Sequence, residues 1–170
     1  MNVQEILNRT DRFASDAGCQ ITEVDADHAV AEMTVTPRHL NGANVCQGGA
    51  LFTLADLAIA ALMNARGQLT VGISNSIMFV SSAQSGDHLV AEAVTVCDHH
   101  KIPSVEVRVT NQDGRLICHV TGIGYRKSVA LPDYDAHEKD KKKKKIEVIR
   151  YMNKRNSVHL SLGFQKIVLI

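Results

Sequence analysis

Apolar and polar positions divide the first 128 residues into a helix, a hairpin, a second helix and a run of strands. Apolar residues at 3, 6, 7, 13 and 14 recur at nearly helical spacing, and Gly18 closes that segment. From 19 to 36 the period falls to two. Ala29, Ala31, Met33 and Val35 alternate with Val30, Glu32 and Thr34, which predicts a hairpin turning at Asp25-Ala26-Asp27-His28. After a loop over 37–47, residues 50–63 contain a single ionisable side chain, Asp56, so the pattern predicts a buried helix over about 49–65 with Gly67 beyond its end. Strand-like runs follow at 70–80, 88–97, 104–110 and 116–126, the last two joined by the hairpin signal Asn111-Gln112-Asp113-Gly114. The order predicts an α+β fold, an antiparallel sheet of about six strands wrapped around one long central helix, with 70–126 as a four-strand meander. Such a sheet leaves its edge strands open, and a second copy of the chain would close them.

Charge separates this region from the rest. Residues 1–128 hold nine Lys and Arg against thirteen Asp and Glu, whereas 129–170 hold ten against five. The chain therefore reads as one acidic domain over 1–128 and a basic C-terminal extension over 129–170. Residues 131–135 look like a linker, and Lys139-Asp140-Lys141-Lys142-Lys143-Lys144-Lys145 is a solvated charge run. No aromatic residues interleave the lysines to stack bases, so no nucleic-acid partner is expected. With four Phe, three Tyr and no Trp, the core must be aliphatic. Cys19, Cys46, Cys97 and Cys118 form no C-x-x-C pair, which fits free thiols in a reducing cytoplasm. There is no secretory leader pattern and no stretch long enough to span a bilayer, so a cytoplasmic protein without a membrane partner is expected.

Asp56 is the residue to explain. A lone carboxylate on an apolar helix is costly unless it is paired, hydrogen-bonded or protonated, and such acids often serve chemistry. At the start of the same helix stands Gln47-Gly48-Gly49. A helix N-terminus presents unpaired N–H groups and partial positive charge, suited to a carbonyl oxygen that becomes an oxyanion. Glycine lets a ligand approach that backbone closely. Cys46 with His39 as a nucleophile pair is the weaker reading, because an apolar loop cysteine is usually inert packing.

The run His39-Leu40-Asn41-Gly42-Ala43-Asn44-Val45-Cys46-Gln47-Gly48-Gly49-Ala50-Leu51-Phe52-Thr53-Leu54-Ala55-Asp56 resembles the signature of the hotdog-fold thioesterases of the phenylacetic-acid-degradation type, approximately N-G-x-G-x-x-H-G-G-x-x-x-x-L-A-D. The likeness covers about residues 1–128. It implies a hotdog homodimer or homotetramer that hydrolyses acyl-coenzyme A thioesters, with coenzyme A entering as part of the substrate and no metal or other cofactor. By position it implies that Asp56 is the catalytic nucleophile or general base, Gly48 the oxyanion donor and Asn41 a polar neighbour of the attacking group. Gln47 stands where the family usually has His. Gly49, Ser74, Asn75 and Ser76 are candidate substrate-binding residues, as are Ser81 and Ser82, which occupy the place of a basic residue and proline. The grip on the coenzyme A phosphates is then weaker or comes from elsewhere, with Arg126 and Lys127 as candidates. Gly48 and Asp56 are eight residues apart, about 12 Å along a helix, too far to act on one carbonyl. Two antiparallel helices from two subunits would bring them together. The alternatives are a hotdog hydratase or dehydratase, against which Gln47 counts, and a non-catalytic acyl-thioester binding protein.

Overall fold

The computed structural model describes residues 1–133. The lysine run and the apolar segments beyond it lie outside the described residues. The first predicted helix is two: α1, Val3–Thr10, and α2, Arg12–Asp16. The break falls at Asp11, whose carboxylate accepts the Ala14 N–H and so starts a new helix instead of continuing the old one. Strands β1, Gln20–Val24, and β2, His28–Thr34, form the predicted hairpin. Asp25 Oδ1 accepts the N–H groups of both Asp27 and His28, which fixes the turn.

A 3-10 turn, Pro37–His39, leads into helix α3, Gly48–Asn64, followed by β3, Gln68–Phe79, β4, His88–Cys97, β5, Ser104–Asn111, and β6, Leu116–Ala130. All six strands form one antiparallel sheet in the order β1-β2-β4-β5-β6-β3. The predicted meander therefore holds for β4-β5-β6 alone. β3 crosses to the far edge and pairs with β6, while β4 takes the place beside β2. Alternation along a strand reveals which residues share a face, not which strand lies alongside, so this crossover is invisible to the pattern.

The sheet curls around α3. Ala29 pairs with Ala93 and Ala31 with Ala91 across β2 and β4, all four fully buried, and these small side chains leave room for a helix to lie close. Leu54, Ala55, Ala58, Ile59, Ala61 and Leu62 fill that space. Asn64, at the end of α3, donates to the Ala60 and Thr70 carbonyls and accepts the Thr70 N–H at 2.8 Å. This buried amide sets how far β3 slides along α3. Beyond the expected boundary, β6 runs to Ala130, and Leu131 is buried against Val3 and Ile6. No described helix is long and apolar enough to cross a membrane.

Candidate active site

Helix α3 is not buried on every side. Gly49 and Asp56 are exposed, Thr53 and Ala60 are half-buried, and their spacing puts the four on one stripe. The expectation that Asp56 is sealed in an apolar helix is thus corrected for the single chain: its position on the uncovered stripe leaves the carboxylate open to solvent. The apolar surface around it still removes part of its hydration. Desolvation raises the Asp56 pKa above the usual carboxylate value, a hydrogen bond from Asn75 pulls it down, and Asp11 raises it further. In that bond, Asn75 Nδ2 donates to Asp56 Oδ1 at 2.8 Å.

The N-terminus of α3 is built by the preceding loop. Leu40 and Cys46 form an isolated bridge, Asn41 N–H donates to the Val45 carbonyl, and Cys46 N–H donates to the Ala83 carbonyl at 2.8 Å. Asn41 Oδ1 accepts from Ala43 N–H at 2.8 Å and Val45 N–H at 3.4 Å, so the carbonyl end of its side chain holds the loop and its NH2 remains for the cleft. Gln47 is the N-cap of α3, its Oε1 accepting from the N–H groups of Gly49 and Ala50. That carbonyl is committed to the helix, which leaves Nε2 as the only end of the side chain able to meet a ligand. The Gly48 N–H, one residue before these capped groups, makes no hydrogen bond among the described residues.

Gly48, Asn41, Ser81 and Ser82 line one cleft of about 360 Å³ with Val45, Cys46, Leu51, Phe79 and Val80. A Cβ on Gly48 would lie 2.8 Å from Phe79 Cζ, so the ring of β3 packs directly on this glycine. Asp56 is not in that cleft. The expected trio on β3 also divides: Asn75, with Ile77 and Phe79, faces α3, while Ser74 and Ser76 stand on the opposite face. Arg126 is tied up elsewhere, its guanidinium 2.8 Å from Asp98 and mostly buried. A different arginine stands near the cleft. Arg115, after the β5–β6 turn, donates to the Ser82 carbonyl at 3.2 Å and lies 3.8 Å from Asp87. Nothing in the local sequence marks it, since β5 and β6 must fold before residue 115 reaches residue 82.

The remaining candidate chemistry is inert. Burial pushes the Cys46 thiol up to about 11, which keeps it protonated near neutrality, and His39 Nδ1 accepts the Thr36 N–H. No group of three His, Cys, Asp or Glu side chains that could hold a metal ion occurs among the described residues.

The family model of the Thioesterase superfamily matches residues 43–118, which hold all of α3, strands β3 to β5 and the start of β6. A relative in Archaeoglobus fulgidus is 36% identical over 130 residues, 76% of this chain and 84% of that protein. The acyl-coenzyme A thioesterase PaaI of Escherichia coli K12 is 33% identical over 120 residues, 71% of this chain and 86% of that protein. The solved structure of the E. coli PaaI protein from the phenylacetic acid degradation operon superposes with a TM-score of 0.72 at 30% identity, covering 74% of this chain and 91% of that one. With its curled six-stranded sheet around α3, the chain belongs to the thioesterase superfamily and is a PaaI-like hotdog thioester hydrolase.

Proposed function

We propose that this protein hydrolyses acyl-coenzyme A thioesters in composite sites made by two copies of the chain. The observation that carries the reading is the Gly48 N–H, unpaired at the positive end of α3 and lining the cleft of Asn41, Ser81 and Ser82. There it can donate to the thioester carbonyl oxygen and stabilise the negative charge that develops on it. Asp56 then has two routes. As general base it takes a proton from water, whose oxygen attacks the acyl carbon. As nucleophile its carboxylate forms a mixed anhydride that water cleaves. Either way the C–S bond breaks, the thiolate leaves and takes up a proton, and the products are a carboxylic acid and free thiol.

The sequence separation again decides the assembly. Gly48 and Asp56 lie on one straight helix about 12 Å apart, so a second copy must supply one of them. The open stripe of α3 and the exposed edge strand β3, with Ile73 57% exposed, are surfaces that a second copy would cover. The name of the E. coli relative, an acyl-coenzyme A thioesterase, supports coenzyme A as the thiol. Arg115 is the cation placed to meet its phosphates, in the position left without charge by Ser81 and Ser82.

The test is release of free thiol from a panel of acyl-CoAs by wild type, Asp56→Ala and Gln47→His. Turnover that vanishes in Asp56→Ala is the expected result. Saturable binding without turnover by the wild type would make the protein a thioester binder, and hydration of an enoyl-CoA without thiol release would make it a hydratase.

A further inference from the structure

Asn75 meets Asp56 with one end of its amide and nothing with the other. Nδ2 donates to Asp56 Oδ1 at 2.8 Å, whereas Asn75 Oδ1 is buried without a hydrogen-bond partner among the described residues. A buried unpaired carbonyl destabilises a fold. The surroundings hold it there all the same. Gly122, paired with Asn75 across β3 and β6, has no room for a Cβ, which would lie 2.9 Å from Asn75 Oδ1 and 3.0 Å from Ile59 Cδ1. A leucine of similar size would fill this space with no orphaned polar atom, so packing gives no reason for an asparagine here.

We propose that Asn75 is a positioning residue for Asp56, holding one carboxylate oxygen so that the other stays free for the reacting atoms. The proposal rests on the reading of Asp56 as the reacting acid. Asp56 Oδ2 has no hydrogen-bond partner among the described residues, so Asn75 alone fixes the rotation of the carboxylate and selects which oxygen is available. The same bond favours the ionised form. Neither α3 nor β3 carries another ionisable side chain, the inner faces of the other strands are apolar, and the charge that acts on Asp56 is Asp11, which opposes ionisation. Among the described residues Asn75 is thus the group that counters desolvation and favours the ionised acid.

The experiment compares wild type with Asn75→Leu, Asn75→Ala and Asp56→Asn, following thiol release from acetyl-CoA, hexanoyl-CoA and phenylacetyl-CoA across pH, with thermal unfolding alongside. A lost hydrogen bond to a charged group predicts that Asn75→Leu lowers kcat about tenfold with KM little changed, and moves the acid limb up by about one pH unit. Its unfolding midpoint should match or exceed that of wild type, because the orphaned carbonyl is gone. Asn75→Ala, which fits whatever leucine does not, should show the same displaced limb. A wild-type limb and kcat in both variants, with only a lowered midpoint, would reduce Asn75 to a packing residue while leaving Asp56 in its role. Full turnover by Asp56→Asn would remove both.

Discussion

Asp56 titrates under opposing influences. Loss of water raises its pKa above the ordinary carboxylate value, Asn75 draws it down, and Asp11 raises it again. Because only the ionised acid can act as base or nucleophile, kcat/KM should fall along a single acid limb lying above the usual carboxylate range. Gln47 itself cannot titrate, so Gln47→His should add a second limb near an ordinary histidine pKa, about 6.5. A pH–rate profile of the two proteins checks both statements. Stability should move with the opposite sign to activity. A carboxyl whose pKa is raised on folding holds its proton more tightly in the folded state. Stability is therefore lost as pH rises from the unfolded pKa to the folded one, and the penalty is complete above it. Asp56→Asn removes that penalty and keeps an oxygen for the Asn75 amide, so its thermal midpoint should exceed wild type at neutral pH. The gain should shrink as pH falls from the raised folded pKa toward the ordinary carboxylate value and vanish below it; an equal gain at every pH would show that ionisation is not its source.

At the scale of elements, the contact between α3 and β3 governs the cleft. Phe79 lies against Gly48 and lines the cleft, so Gly48→Ala must push the ring aside and alter the cleft's shape. Gly48→Ala should lose thioester turnover, and Phe79→Ala in the same chain should restore much of it. A double variant no better than the single one would mean that the backbone, not the ring, had moved. Arg115→Ala, at the Ser82 rim, should raise KM for acyl-CoA by about tenfold with kcat retained, and less at high salt, as expected for a lost phosphate contact. These two contacts also mark what the sequence could and could not disclose. Gly48, Asn41, Ser81 and Ser82 were marked as candidates by the resemblance carried at the helix start and the end of β3, and the strands themselves followed from alternation, although β6 runs past its expected limit to Ala130. Arg115 and the α3–β3 pairing of Asp56 with Asn75 were not. Each depends on β3 crossing to β6, a choice set by packing around α3 and not by any local spacing. Arg126 misled for the same reason, since its partner Asp98 lies on the turn after β4, distant in sequence.

For the whole molecule, the proposed mechanism needs a donor and an acid that one helix holds about 12 Å apart. Gly48 opens α3 at Gln47, whose extended backbone (φ −67°, ψ 136°) is the conformation required before a proline. Proline is also accepted at the first helical position, where its missing N–H costs the helix nothing. Gly48→Pro together with Phe79→Ala therefore deletes the oxyanion donor, with space made for the ring and the helix intact. Asp56→Asn deletes the acid. Each variant alone should be inactive. In a heterodimer of the two, the Asp56→Asn chain supplies Gly48 to the acid of its partner, so one of two composite sites is whole. Random exchange of subunits at equal amounts should then recover about a quarter of the activity of the wild-type dimer, the statistical yield for a two-fold symmetric pair. The recovery should appear at the rate of subunit exchange, followed by mixing the denatured chains and refolding them together. Were acid and donor instead joined within one chain, no mixture would regain turnover, because every chain in it would lack one of the two groups.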